Sequence, residues 1–161
     1  MFNVHYSLFI GTTEGSDDVA KADFKMPEEF LLKISTLADK IDEILPRVLA
    51  EGGEVMKAKA KGNLQAVIGS KPKYPSRSTG ELAGALGVSG ARLDREGNHN
   101  VKVGFAEPRR DGKSNAKIAN ILEYGKHGQP AKPFLKPAKS AAKAECIKTM
   151  TDALQREVDS I

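Results

Sequence analysis

Two long stretches of the chain carry apolar residues at three- and four-residue spacing, which is the pattern of an amphipathic helix. The first begins after Pro27 and reaches about Leu64. Because Pro46 lies inside it and cannot donate to the helical ladder, we expect either one kinked helix or two helices in line. The second begins at Pro137, where a missing N–H costs nothing, and runs almost to the end of the chain.

Shorter segments between and before these helices alternate apolar and polar residues, which indicates strands. We expect two hairpins, with strands at residues 4–10, 20–26, 88–93 and 100–105. A short helix is expected at residues 82–86, and a longer one, capped by Ser114 or Asn115, ends at Tyr124. The predicted fold class is α+β, with a small antiparallel β-sheet packed against a long N-terminal helix, kinked near Pro46, and a C-terminal helix.

The chain shows no internal repeat and no linker long enough to separate two domains, so residues 1–161 are expected to form a single domain. Periodicity is lost at residues 69–79 and 106–114, which are rich in basic residues, Gly, Ser and Pro; these predict flexible loops. Gly52 and Gly53 interrupt the first long helix, where each glycine costs about 1 kcal/mol relative to alanine. We interpret this pair as a soft point.

Composition narrows the classes of function. The 161 residues include 25 basic and 21 acidic ones, a net charge of +4, which is a mild excess for a dedicated nucleic-acid-binding protein. The single cysteine, Cys146, excludes an internal disulfide and fits a reducing compartment. No apolar run reaches the length of about 18 residues that a membrane span needs. No signal peptide is evident, so we expect synthesis in the cytoplasm.

The sequence contains no recognisable catalytic, cofactor or metal motif. His5, His99 and His127 are isolated from one another and from Cys146, without the spacing of a metal site. Phosphate-binding loops, dinucleotide-binding glycines and a nucleophile elbow are absent. Glu123 and His127 flank a turn, but no nucleophile accompanies them. We therefore expect a protein that is not an enzyme and uses neither cofactor nor metal.

Residues 118–137 have the most distinctive pattern in the chain. A helix ends at Glu123-Tyr124-Gly125, a short loop rich in Gly and Pro follows, and Pro133-Phe134-Leu135 precedes the last helix. Glycine in such a loop supplies positive φ angles. We interpret this segment as one that fixes the turn before the last helix packs, through Glu123, Tyr124, Gly125, Pro133, Phe134, Leu135 and Pro137.

This segment, together with two weaker ones, resembles a family of phage morphogenesis proteins. The weaker segments are residues 24–37, a strand followed by a Leu-rich helix, and Thr79-Gly80-Glu81-Leu82 after a loop of Pro, Ser and Arg. The order and spacing from about residue 22 onwards are similar to those of small neck and tail-completion (tail-terminator) proteins. These proteins act at the head–tail joint of long-tailed phages.

The resemblance implies a structural α+β subunit that assembles with copies of itself, as a sixfold ring, at the head-proximal end of the tail. It implies a location in the virion neck or collar, after assembly in the bacterial cytoplasm. The expected partners are the tail tube protein and neighbouring neck, head-closure or sheath proteins, with non-specific DNA contact in the lumen. Terminator and neck bridge stay open as roles, as do contractile and non-contractile tails and a tail-like bacteriocin.

The two basic loops supply the expected contacts with neighbouring subunits. An acidic neighbour is favoured over DNA, since strong phosphate contacts would retard DNA leaving through a channel. The alternative function is a free-standing basic nucleic-acid-binding protein. The candidate assembly residues are Lys71, Lys73, Tyr74, Arg77, Arg109, Arg110 and Lys113.

Overall fold

The computed structural model describes residues 6–8, 21–24, 26–68, 78–109 and 111–161. It confirms the α+β class, with helix predominating. Ten elements follow one another along the chain: β1 (Tyr6–Leu8), β2 (Lys21–Phe24), α1 (Glu28–Val67), α2 (Glu81–Gly84), β3 (Leu86–Val88), β4 (Arg92–Leu93), β5 (His99–Asn100), β6 (Val103–Phe105), α3 (Asn115–Tyr124) and α4 (Leu135–Asp159).

The chain divides into two compact units, residues 1–40 with Ile161 and residues 41–160. In the first unit, β1 and β2 pair antiparallel, with Tyr6 opposite Phe24, as the predicted first hairpin requires. The first turns of α1 belong to the same unit. The expectation of a single domain over the whole chain stays a prediction.

The second unit contains the remainder of α1 and the elements from α2 to α4. The second predicted hairpin is present as two short ladders, in which β3 pairs with β6 and β4 with β5. At the tip of the hairpin, between β4 and β5, the carboxylate of Asp94 accepts the backbone N–H groups of Glu96 and Asn98, at 3.1 and 2.7 Å, which closes the turn. The strands are shorter than predicted because the pairing is interrupted between the two ladders, at residues 89–91 and 101–102.

Helix α1 continues without a break through Pro46, so the alternative of two separate helices was wrong. Its buried face lies in the second unit and consists of Ile44, Val48, Gly52, Gly53, Ala60 and Leu64. Ala60 packs with Leu86 of β3 and Ala138 of α4, while Leu64 packs with α2, α3 and Phe134. This apolar face therefore joins the hairpin to the last two helices.

Helix α4 lies antiparallel to α1, and small residues let the two backbones approach. Ala138, Ala142 and Ala153 of α4 are buried, and the Sγ of Cys146 donates to the carbonyl oxygen of Gly52 at 3.3 Å. Three ion pairs between the helices run in opposite order along the two sequences: Arg47–Glu157 at 2.8 Å, Glu51–Arg156 at 2.7 Å and Lys59–Glu145 at 3.1 Å.

The Gly52–Gly53 pair has a packing role that differs from the predicted soft point. Both glycines are buried. A Cβ atom on Gly52 would lie 2.7 Å from Cγ of Met150 in α4, and one on Gly53 would lie 2.6 Å from Cγ1 of Val88 in β3. Met150 thus packs against Gly52 and Val88 against Gly53, and both contacts are possible because the two glycines have no side chains.

One sequence expectation concerns a part of the chain that lies mostly outside the described residues. Of the predicted loop at residues 69–79, the described residues are 78 and 79 only, so its flexibility stays a prediction. Within the described residues, no helix is both long enough and apolar enough to cross a membrane.

Replacing the glycines of α1 by alanine separates packing from helix propensity. Gly53→Ala is expected to lower the free energy of unfolding by about 1 kcal/mol, because overpacking against the stiff Val88 outweighs the gain in helix propensity. Gly62→Ala is the matched control, since a Cβ there meets no atom within 4 Å. It is expected to raise the free energy of unfolding by up to about 1 kcal/mol. Urea unfolding measures both; stabilisation by both substitutions would contradict the packing role.

Candidate functional site

The carboxylate of Glu123, near the end of α3, forms the centre of the segment that the sequence singles out. Its Oε2 accepts the backbone N–H groups of Phe134 and Leu135, both at 2.8 Å, and its Oε1 accepts that of Lys136 at 2.9 Å. These N–H groups belong to the first turn of α4 and the residue before it. A side chain on one helix therefore caps the start of the next.

This cap satisfies backbone groups that a helix leaves without partners. Pro137 also lies in the first turn and has no N–H, and the N–H of Ala138 donates to the carbonyl of Phe134 at 3.3 Å. Every N–H in the first turn of α4 is thus bonded or absent. The helix begins at Leu135, two residues before the predicted start, because the carboxylate provides acceptors for the earlier N–H groups.

Burial and hydrogen bonding have opposite effects on the pKa of Glu123. The residue is 6% exposed, and burial alone would raise the pKa of its carboxyl. The three backbone N–H groups, assisted by the Lys136 charge, outweigh burial and hold the pKa below its ordinary value. The positive end of the α4 dipole favours the same ionised form. Glu123 is therefore a buried, paired carboxylate.

Phe134, one of the residues whose N–H group Glu123 accepts, connects the start of α4 to the core. It is fully buried, and its ring meets that of Phe105 edge to face, with centroids 6.1 Å apart. Asn63 of α1 donates its Nδ2 to the Phe134 carbonyl at 3.1 Å. Leu135 packs against both parts of the core. The start of α4 is consequently fixed to α1, β6 and α3 together.

The turn between the two helices depends on Gly125. Its φ and ψ angles of 78° and −179° lie in a region that is almost restricted to glycine. A Cβ atom there would lie 2.8 Å from the backbone nitrogen of Ala131 and 2.9 Å from the carbonyl oxygen of Gln129. The backbone N–H of Lys132 donates to the carbonyl of Leu122 at 2.7 Å. Close backbone approach thus shapes this turn.

Tyr124 is an exposed member of the segment that the sequence predicts to fix the turn. Its exposed fraction is 78%, whereas Glu123 beside it is buried. Pro133 is also exposed, at the end of the loop. The buried members Glu123 and Phe134 form the anchor, and Tyr124 lies at its surface. Aromatic side chains are commonly buried, which is why the sequence analysis counted Tyr124 among the residues that fix the turn.

The loop before α3 is held by a second carboxylate cap. The backbone N–H of Ala116 and the Oγ of Ser114 both donate to Oε1 of Glu107, at 2.6 and 2.9 Å. The same Ser114 Oγ accepts the N–H of Lys117 at 3.0 Å, which confirms Ser114 as the N-cap. The bond from Ala116 is the largest cause holding the pKa of Glu107 below its ordinary value.

Arg109 is engaged inside this loop. Its guanidinium pairs with Glu81 of α2 at 3.1 Å and with Asp111 at 3.0 Å, and 12% of its side chain is exposed. Little of Arg109 is therefore available to another subunit. Lys113 is 74% exposed and lies 3.8 Å from Asp111. Flexibility of this loop stays a prediction.

The remaining assembly candidates, Lys71, Lys73, Tyr74, Arg77 and Arg110, lie outside the described residues. The structure therefore brings Arg109 and Lys113 together around Asp111 and leaves the role of the other five as a prediction.

An open groove of about 910 Å³ runs beside the anchor, and we name it the lysine groove. Its volume is within the range of ordinary ligand pockets. Apolar side chains of α1, β6, α3 and α4 line it, and lysines border it: Met56, Val103, Phe105, Ala119 and Leu135, with Lys117, Lys136 and Lys139. The exposed Tyr124 is also part of its wall.

Sequence reasoning did not identify these three lysines. Lys136 and Lys139 are three residues apart on α4 and Lys117 lies on α3, so the cluster exists only once the Glu123 cap brings the two helices together. Among the described residues, no group of three or more His, Cys, Asp or Glu side chains is placed to hold a metal ion. Chemically, the groove can bind an apolar segment that carries negative charge.

Comparison with known proteins identifies one family. A family model, HK97-gp10_like, described as "Bacteriophage HK97-gp10, putative tail-component", matches residues 28–125. The matched segment begins with α1 and ends at Gly125, two residues after the capping glutamate. No curated protein and no solved structure gives a significant match.

Removing the charge of the Glu123 cap tests its contribution to stability. Glu123→Gln is expected to lower the free energy of unfolding by about 2 kcal/mol, because the amide turns an NH₂ group towards backbone N–H donors. Wild-type stability from this group is complete above the ordinary glutamate pKa of about 4.3 and is lost as the pH falls through the lower folded value. The variant should lack that part of the acid dependence in urea unfolding followed from pH 7 to pH 3.

The control for this substitution is Glu54→Gln, which removes an exposed carboxylate that, among the described residues, pairs only with Lys57. It should change stability by less than about 0.5 kcal/mol and keep the wild-type acid dependence. Equal effects of the two substitutions would contradict the capping role.

The turn can be tested with a second pair of glycines. Gly125→Ala is expected to destabilise the fold by more than about 3 kcal/mol, since it adds backbone strain and a clash with the backbone of Ala131. Gly128 also has a positive φ, of 73°, but a Cβ there meets no atom within 4 Å. Gly128→Ala should therefore cost about 1 kcal/mol. Thermal unfolding compares the two; equal losses would show that strain alone matters.

Proposed function

The chain belongs to the HK97-gp10-like family of bacteriophage tail components, and from this premise we propose that it is a structural subunit forming a ring at the head-proximal end of the tail. In this position it acts in tail completion or termination and in joining head to tail. The observation that carries the proposal is the family match over residues 28–125, which contains α1, the second hairpin and α3. A tail component implies a place in the virion and contacts with other virion proteins.

The proposed partners are copies of the same chain, in a hexameric ring, together with the tail tube protein and adjoining neck, head-closure or sheath proteins. Exposed apolar residues support assembly. Phe30 and Ile34 of α1 are each 48% exposed, and Leu32 is 69% exposed. Phe30 and Ile34 share one helical face, and exposed apolar side chains grouped on one face are typical of surfaces that bind other proteins.

The proposed role is non-enzymatic and needs no cofactor. DNA contact in the lumen of the ring remains part of the proposal, through the basic loops. The alternative of a free-standing nucleic-acid-binding protein gains nothing from Arg109, because its guanidinium is paired within the chain. We therefore keep assembly as the proposed function.

Electron microscopy of particles made with and without the gene tests this proposal. Loss of the chain should leave full heads beside free tails of normal length if it completes the joint. Overlong tails would identify it as the subunit that stops polymerisation of the tube. A wild-type copy supplied in trans should restore joined particles. Normal, joined particles in its absence would contradict the proposed function.

A further inference from the structure

Two surfaces of this chain have complementary chemistry. The first is the lysine groove, which combines an apolar floor with the exposed lysines Lys117, Lys136 and Lys139. Neither Lys117 nor Lys139 forms an ion pair within the described part of the chain. A ligand that fills this groove would need apolar side chains for the floor and negative charge for the border.

The second surface is the first two turns of α1, residues 28–34, which we name the α1 tip. Phe30 and Ile34 are four residues apart, so they share one helical face, and both are 48% exposed. Counted at 3.6 residues per turn, this face continues into the buried positions Ile44 and Val48. The apolar stripe of α1 therefore extends beyond the residues that bury it in the second unit.

The α1 tip also carries a net negative charge, because Glu28 and Glu29 outnumber its one basic residue, Lys33. Glu28 and Glu29 occupy the first turn of α1, both exposed, and neither forms an ion pair among the described residues. Two carboxylates next to exposed apolar side chains make the tip a match for the groove in both respects: apolar area against apolar area and carboxylates against lysines.

We propose that the lysine groove of one copy receives the α1 tip of a second copy. This inference rests on the proposed function, since it names the contact by which the ring forms. Each copy then uses two different surfaces, so the contact is heterologous and repeats head to tail. Such a contact closes into a ring when the rotation between neighbours divides a full turn evenly, and it forms an open filament otherwise.

Charge reversal on each surface tests the contact in the full-length protein. Lys117→Glu with Lys139→Glu, and separately Glu28→Lys with Glu29→Lys, should each raise the dissociation constant of the oligomer at least about tenfold. The chain carrying all four substitutions pairs acidic groove with basic tip and should assemble like wild type. Light scattering coupled to size exclusion measures the mass, and circular dichroism checks that each variant is folded.

The matched control is Lys61→Glu with Lys143→Glu. It makes the same change of net charge as the reversal of Lys117 and Lys139, on exposed lysines of α1 and α4 outside the groove, and it should leave the oligomer unchanged. Retained assembly of either double reversal would overturn the inference, as would a folded fourfold variant that stays dissociated. A wild-type chain that is monomeric at about 100 μM would overturn it as well.

Failure of this contact and failure of the proposed function give different results. If the reversals leave assembly intact while particles lacking the chain still fail to join heads to tails, the function stands and the interface is wrong. If particles join normally without the chain, the proposed function fails whatever the oligomer does.

Discussion

The architecture of the second unit depends on one carboxylate that receives three backbone N–H groups. Glu123 ends one helix and caps the next, so the direction in which α4 leaves the turn is fixed by hydrogen bonds of 2.8 to 2.9 Å. Pro137 also lies in the first turn of α4, and because proline has no backbone N–H it needs no acceptor there. Phe134, adjacent to the cap, enters the core and is fully buried. Burial of the charge is tolerated because each oxygen is bonded.

With the start of α4 fixed, the rest of the packing follows along α1. Alanines on α4 and the Gly52–Gly53 pair on α1 permit close approach, and ion pairs between the two helices define their antiparallel alignment. Placing α3 beside the start of α4 also creates the lysine groove. The same interaction that organises the core therefore produces the surface to which we assign assembly.

Local sequence patterns predicted the helices and strands well, but they predicted the contacts between these elements poorly. Helix spacing, the Ser114 cap and the α+β class could be predicted because each depends on residues close together in sequence. The Leu-Glu-Tyr-Gly segment pointed to the anchor and to a phage tail family, but no pattern shows that Glu123 would bond the N–H groups of residues 134 to 136. That contact joins positions more than ten residues apart.

Other differences have the same origin. Gly52 and Gly53 suggested a soft point because helix propensity is a local quantity, whereas their role is to admit Met150 and Val88 from distant elements. Arg109 was a candidate for assembly because it lies in a basic loop, and its in-chain partner Glu81 belongs to α2. Tyr124 was counted among the residues that fix the turn because it lies in the Glu123-Tyr124-Gly125 segment and is aromatic. The roles of these residues depend on tertiary contacts, which local sequence patterns do not show.

The most direct test of the account is a cryo-electron microscopy reconstruction of the head-proximal end of the tail in intact particles. The account predicts a closed ring of this chain at the joint, with residues 28–34 of each copy seated in the lysine groove of the next. A joint that lacks the chain would contradict the proposed function. A ring in which the groove faces solvent would contradict the assembly contact.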